Sequence, residues 1–215
     1  MPLSVDVGHS SLTGPRERNE DFCRFVTPEG SDLEHKGVLA AVADGIGGHR
    51  GGREAAEYTV RGLLADYYAT PDTWSIPRAL ETVTTALNRW VIAEAARNAE
   101  LAGMATTLSA LILRGRRYTL GHIGDSRIYR FQDGVLQQMT VDHTWEHPEL
   151  SNVLSRAIGL DPRVLMDFAD GDLAVGDRFI LVSDGVWGIL PEPLITEVLL
   201  DHPEPRAAAA ALTSL

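Results

Sequence analysis

The succession of apolar and polar positions divides the chain into a loop-rich opening, two long helices, a run of hairpin strands and a helical end. An opening strand is predicted near residues 3–7, followed by a charged loop over residues 13–21 that contains Gly14 and Pro15. Residues 37–44 form a short, nearly continuous apolar run, the pattern of a strand buried on both faces. A glycine-rich loop follows over residues 45–52, then an Ala- and Leu-rich helix over residues 53–68. A second helix starts near Ser75, with Pro77 in its first turn, where proline is favoured. Leu80, Val83, Leu87, Val91 and Ala95 recur at helical spacing and predict one buried face, and Gly103 ends the helix.

Strand patterns follow at residues 106–113, 118–123, 126–131 and 135–140, separated by Gly115, Gly124 and Gly134. Asp133 and Gly134 form a hairpin-turn signal. A short helix is expected at residues 151–158, with strands at 164–168 and 178–183. The last of these is apolar throughout from Phe179 to Val182 and is expected to be central. Residues 191–200 and 205–215 read as helices. Two long helices between groups of hairpin strands predict an α+β architecture without βαβ alternation. Apolar strands need cover on both faces, which two packed antiparallel sheets with helices outside would supply.

Composition narrows the function. A chain of 215 residues fits one domain, 1–215, and 44% hydrophobic residues are enough for a core. A net charge of -11 argues against nucleic acid as the partner, because phosphate backbones call for Lys and Arg. The same carboxylates are the hard oxygen ligands that Mg²⁺ and Mn²⁺ prefer. Cys23 is the only cysteine, which suits a reducing compartment. No apolar run of eighteen residues and no basic-then-apolar start are present, so the expectation is a cytoplasmic protein without a membrane span.

Three aspartates sit where an apolar strand meets a glycine: Asp44 before Gly45, Asp125 after Gly124, and Asp184 before Gly185. A strand end holds a carboxylate rigidly, and glycine leaves room for another atom to approach. A carboxylate beside a dry core is costly unless it is paired or metal-bound, so the repeated arrangement points to a shared cation site. Taken singly, each reads first as an Asp that caps a turn.

The motif order is more specific. Residues 14–21, including Arg16, Glu20 and Asp21, resemble the opening motif of the type 2C, metal-dependent protein phosphatase (PPM) family. Residues 43–49 resemble its second motif in the bacterial form. Ala105, Thr106 and Thr107 resemble its Gly-Thr-Thr motif, with Ala for Gly. Residues 124–129, 140–144, 154–159 and 183–186 follow in the family's order.

The resemblance implies a four-layer αββα sandwich, two antiparallel β-sheets flanked by helices. It further implies hydrolysis of phosphoserine and phosphothreonine in proteins by a water activated between two divalent cations, Mn²⁺ or Mg²⁺. By position, Asp44 would bridge the two ions. The Gly45 carbonyl would bind one and Asp184 the other, and Glu20 and Asp21 would act through metal-bound waters. Asp125 corresponds to a residue linked to a third, weaker ion in bacterial relatives. Arg16 would grip the substrate phosphate with two parallel N–H donors. His49 is a candidate proton donor to the leaving alkoxide, set against an ordinary loop histidine. The implied partners are a phosphorylated protein and, as in kinase-fused bacterial relatives, a serine/threonine kinase domain.

Two departures from the family pattern matter. No Asp-Asn pair stands on a last strand, since the final aspartate is Asp201, in or near a helix. The expectation is a chain that stops short of that strand and binds metal weakly. The stretch between Asp142 and Leu154 is short where relatives carry a longer flap, and Gly188 stands where many have an Asp. These departures motivate the alternative of a catalytically weak phosphoprotein-binding or regulatory domain.

Other readings are weaker. Residues 45–50 lack the last glycine of a dinucleotide fingerprint and are not followed by a P-loop Lys. His143 and His147 fit a zinc-peptidase spacing, but Pro148 follows at once and no third ligand is evident. Cys23 lacks a Cys-x5-Arg phosphate loop. Trp74, Trp90, Trp145 and Trp187 read as packing residues, and Arg114, Arg116 and Arg117 as a solvated turn.

Overall fold

In the computed structural model the described residues are 3–46, 51–145 and 153–215. In chain order the strands are β1 (Phe22–Val26), β2 (Val38–Ala43), β3 (Gly45–Ile46), β4 (Ala105–Thr106), β5 (Leu108–Arg114), β6 (Arg117–Ile123), β7 (Arg127–Gln132), β8 (Val135–Gln138), β9 (Asp167–Asp172) and β10 (Arg178–Val182). The helices are α1 (Ser31–His35), α2 (Gly51–Ala69), α3 (Ile76–Arg97), α4 (Asp184–Trp187), α5 (Glu192–Asp201) and α6 (Pro205–Ser214).

Two antiparallel sheets, ordered β1-β2-β5-β6-β9 and β10-β7-β8, account for all strands but the short β3–β4 pair. The period-2 alternation of β5 shows how the layers are built. Leu108, Ala110 and Ile112 face a core shared with Val60 and Leu63 of α2 and Leu80 of α3. Leu111 faces the other way and packs with Tyr118, Leu120 and Ile128 between the sheets, where Phe179 and Leu181 also lie. On the far side of the smaller sheet, Phe131 and Ile180 pack against Ile195 and Leu199 of α5 and Leu212 of α6. Helix, sheet, sheet and helix therefore form four layers, as expected. Ser75 caps α3 by accepting from the Arg78 N–H, and Asp133 and Gly134 take φ of 51° and 79° in the β7–β8 hairpin. No helix of the described residues is long and apolar enough to cross a membrane.

Four local expectations are corrected. Residues 3–10 form no strand. They run along α6, with Gly8 against Pro205 and the Ser10 and Thr213 hydroxyls 2.7 Å apart. Backbone that contacts a helix has no ladder to join. Residues 153–158 are not helical: Leu154 bridges Thr144 and Ile158 bridges Thr106, with two backbone bonds of 2.9 and 2.8 Å at the latter. β9 begins at Asp167, where pairing with His122 starts, while Val164 and Met166 turn into the helix-side core. β10 lies at an edge of its sheet among the described strands, and Phe179, Ile180 and Leu181 remain half-buried. Its apolar run reflects cover on both faces, not pairing on both sides.

Candidate metal centre

The acidic site lies at one end of the sandwich, where the layer between the sheets changes from apolar to polar. Along β5 and β6 that layer passes from Leu111 and Leu120 to Ser109 and His122, both buried. Beyond them the chain leaves the sheets at three turns bearing Asp44, Asp125 and Asp184. A fourth carboxylate, Asp21, precedes β1.

Asp44 follows β2 directly. Its N–H donates to Thr107 Oγ1 at 2.9 Å, and its carbonyl accepts from Thr107 N and Thr106 Oγ1, both at 2.9 Å. The Thr107 hydroxyl also lies 2.8 Å from that of Ser126, next to Asp125. One buried threonine therefore ties the Asp44 turn to the Asp125 turn. Across the site, Ser183 Oγ donates to Asp21 Oδ2 at 2.5 Å and joins the loop before β1 to the turn after β10. Arg53 of α2 donates to the Asp21 carbonyl at 2.6 Å.

The electrostatics show how crowded this site is. Burial, followed by the Asp21 and Asp184 carboxylates, a hydrogen bond with Asp184 and the field of Asp125, pushes Asp44 up to about 9. Burial and then Asp184 and Asp142 raise Asp125 to about 6, partly offset by Arg127. Burial raises Asp21 as well, against the pull of Ser183, Asp44 and Arg16. Like charges in a partly dry site cannot all ionise without a compensating proton or cation. Among the described residues, no three His, Cys, Asp or Glu side chains already converge as a cation cage.

Glycine makes room beside the acids. A Cβ on Gly45 would collide with the Gly52 carbonyl. A Cβ on Gly52 would stand 3.0 Å from both Glu20 Oε2 and the Gly45 carbonyl oxygen, so these two oxygens border one small space that only glycine leaves open. Gly45 N also donates to the Glu20 carbonyl at 3.3 Å. Hard oxygen donors around an open space, next to a half-buried and overcrowded carboxylate set, fit a divalent cation of the Mg²⁺ or Mn²⁺ type.

Of the residues predicted from sequence, Asp21, Asp44, Asp125 and Asp184 share one electrostatic environment, with Glu20 and Gly45 beside them. Arg16 lies on the exposed loop, within reach of the Asp21 charge. His49 falls outside the described residues, as does His147 of the zinc-peptidase spacing. His143 instead supports the Asp125 turn. It accepts from Gly124 N through Nδ1 at 3.1 Å, its backbone N–H donates to the Gly124 carbonyl at 2.7 Å, and its Nε2 lies 3.0 Å from Asp167.

Sequence reasoning assigned no role to Thr107, Ser126 or Ser183. All three lie within the quoted motifs, and their place beside the acidic turns was the only available signal; the structure shows them buried. Trp187 is more than packing: its ring stacks on the Arg127 guanidinium, with 3.6 Å from Cζ to the ring centroid.

Residues 14–213 match the family model of protein phosphatase 2C. The chain belongs to the protein phosphatase 2C family. Membership carries with it hydrolysis of phosphoserine and phosphothreonine in proteins, and dependence on metal. Serine/threonine phosphatase stp of Listeria monocytogenes is 32% identical over 205 residues, covering 86% of this phosphatase and 78% of the relative. Among solved structures, PppA of Pseudomonas aeruginosa superposes with a TM-score of 0.79 at 30% identity, over 95% of this chain and 87% of that one. The Mycobacterium tuberculosis phosphatase PstP/Ppp gives 0.78, also at 30% identity and over 95% and 87%. Four-layer architecture and family thus agree with what the motif order implies.

Proposed function

We propose that this phosphatase dephosphorylates protein substrates at a centre of two divalent cations, Mn²⁺ or Mg²⁺, with Asp125 marking a third, weaker position. Asp44, Asp184 and the Gly45 carbonyl would hold the ions directly, and Glu20 and Asp21 would orient their water shell. When bound, such ions make water a nucleophile near neutral pH and draw charge off phosphate oxygens. The chain's own residues do the rest. Arg16, on an exposed loop, would meet a phosphate dianion with a planar fork. Ser183 keeps Asp21 turned toward the site. His49 is the candidate donor of a proton to the departing serine or threonine alkoxide. We place the enzyme in the cytoplasm, opposed by a serine/threonine kinase, and read its described residues as one catalytic domain.

One observation carries this reading: Asp44, half-buried, is crowded by three other aspartates. Evolution of such a cluster without a compensating cation would be a pure cost to folding. The test is turnover of p-nitrophenyl phosphate and of a phosphothreonine peptide with added Mn²⁺, in the natural chain and in Asp44→Asn. We expect at least a 100-fold loss, on the order of the effect of removing one charge-stabilising group from an active site. Equal rates in both proteins would discard the enzymatic reading and leave a phosphoprotein-binding domain.

A further inference from the structure

Asp125 and Asp184 come from opposite ends of adjacent strands. Arg127 opens β7 and is the direct partner of Val182, which closes β10. Asp125 stands two residues before Arg127 and Asp184 two residues after Val182, so both acidic turns leave the same end of one strand pair. The β-ladder stops there, and backbone bonds of the sheet no longer hold the two turns at a set spacing.

Arg127 takes over where the ladder ends. Its Nε donates to Asp142 Oδ1 and Oδ2 at 3.1 and 3.2 Å, and its Nη2 to Oδ2 at 2.8 Å. Nη1 donates to the Tyr129 hydroxyl at 3.1 Å. Gln138 braces the acceptor by donating to Asp142 Oδ1 and to the Thr140 carbonyl. The remaining face of the guanidinium is covered by Trp187, the last residue of the short helix that Asp184 begins. The Trp187 Nε1 is buried and makes no hydrogen bond within the described structure, so the ring is seated by its face. An exposed ion pair would contribute little, but this one is four-fifths buried, bidentate and stacked.

We propose that Arg127 is a positioning residue of the metal centre: a planar clamp, gripped by Asp142 and capped by Trp187, that sets the separation of Asp125 and Asp184. The inference rests on the reading of those two aspartates as ligands. Lysine would keep the charge and lose both the fork and the stacking plane.

The test is Mn²⁺ binding to the purified chain without substrate, followed by electron paramagnetic resonance of the free ion. The proteins are wild type, Arg127→Lys, Trp187→Phe, Trp187→Leu and Asp184→Asn, each first shown to be folded by circular dichroism. Arg127→Lys and Trp187→Leu should weaken binding about 10- to 100-fold, the usual cost of losing support behind a metal ligand. Trp187→Phe, which keeps an aromatic face, should stay close to wild type. In Arg127→Lys, kcat for p-nitrophenyl phosphate should largely recover at saturating Mn²⁺ while the half-saturating metal concentration rises. Wild-type binding by Arg127→Lys, beside lost binding by Asp184→Asn, would overturn the clamp and leave the centre standing. Wild-type binding by Asp184→Asn would overturn the centre itself, and the clamp with it.

Discussion

Gly52 occupies a helix position where alanine would ordinarily be preferred. It is the second residue of α2, and replacing a helical glycine by alanine is worth about 1 kcal/mol in propensity. What opposes alanine is backbone: the added carbon would stand 2.9 Å from the Gly45 carbonyl carbon and 3.0 Å from both the Gly45 carbonyl oxygen and Glu20 Oε2. Gly52→Ala should therefore push the Gly45 turn aside, which offsets the gain in propensity. Its thermal midpoint should not rise above wild type, while the Mn²⁺ concentration for half-maximal activity rises at least about tenfold, as when support of a metal ligand is lost. An unchanged metal titration would show that the space beside Gly52 is not part of the centre. Asp44 belongs to the same argument, because a half-buried acid facing three others would be costly without a compensating cation.

The acidic turns were legible as strand-end aspartates beside glycines, since a strand end and a glycine are local features. Their mutual support was not. Thr107 sits on the segment joining β4 to β5 and reaches both the Asp44 N–H and the Ser126 hydroxyl, residues 63 and 19 positions away along the chain. No periodicity reports such a bond, because along the sequence this threonine resembles any other. Thr107→Val keeps the shape and removes the bridge, leaving the Asp44 N–H without its partner. We expect a loss of about 1–3 kcal/mol in urea denaturation, the cost of a buried unpaired donor, together with weakened Mn²⁺ activation. Thr107→Ser should restore both. A valine variant as stable and as active as wild type would contradict the bridging role. Other misreadings share this cause. Residues 153–158 have a locally helical pattern, yet the backbone bonds from Ile158 to Thr106 place them as bridges instead.

At the scale of the molecule, the space between the sheets carries a titratable group. His122 lies on β6 with 1% of its surface exposed, its Nδ1 2.9 Å from Ser109 Oγ and its ring 4.8 Å from that of His143. The Ser109 hydroxyl donates to the Ser126 carbonyl, which leaves it to accept from the imidazole N–H. Burial, then the neighbouring His143, lowers His122 from 6.5 to about 4. Between those two values the unfolded chain binds a proton that the folded chain refuses. The contribution is complete above about pH 6.5 and is lost progressively as pH falls toward 4, by on the order of 3 kcal/mol. His122→Asn keeps a donor toward Ser109 without the titration. Urea denaturation at pH 7.5 and pH 4.5 should show a smaller acid-induced loss in the variant. Equal losses would remove His122 as a source of acid sensitivity.

Alternation, helical spacing and turn residues were enough to place α2, α3, the β5–β8 hairpins and the two sheets with helices outside, because these depend on neighbours a few positions away. Residue order alone likewise set the motifs that imply a family and a phosphoryl chemistry. Tertiary structure decided that residues 3–10 lie along α6, that β10 is an edge strand among those described, and that Thr107, Ser183 and Arg127 join separate turns into one site. The difference is one of range. A pattern reports which side of an element is apolar, whereas the partner of a polar atom far along the chain exists only once the layers have closed around it.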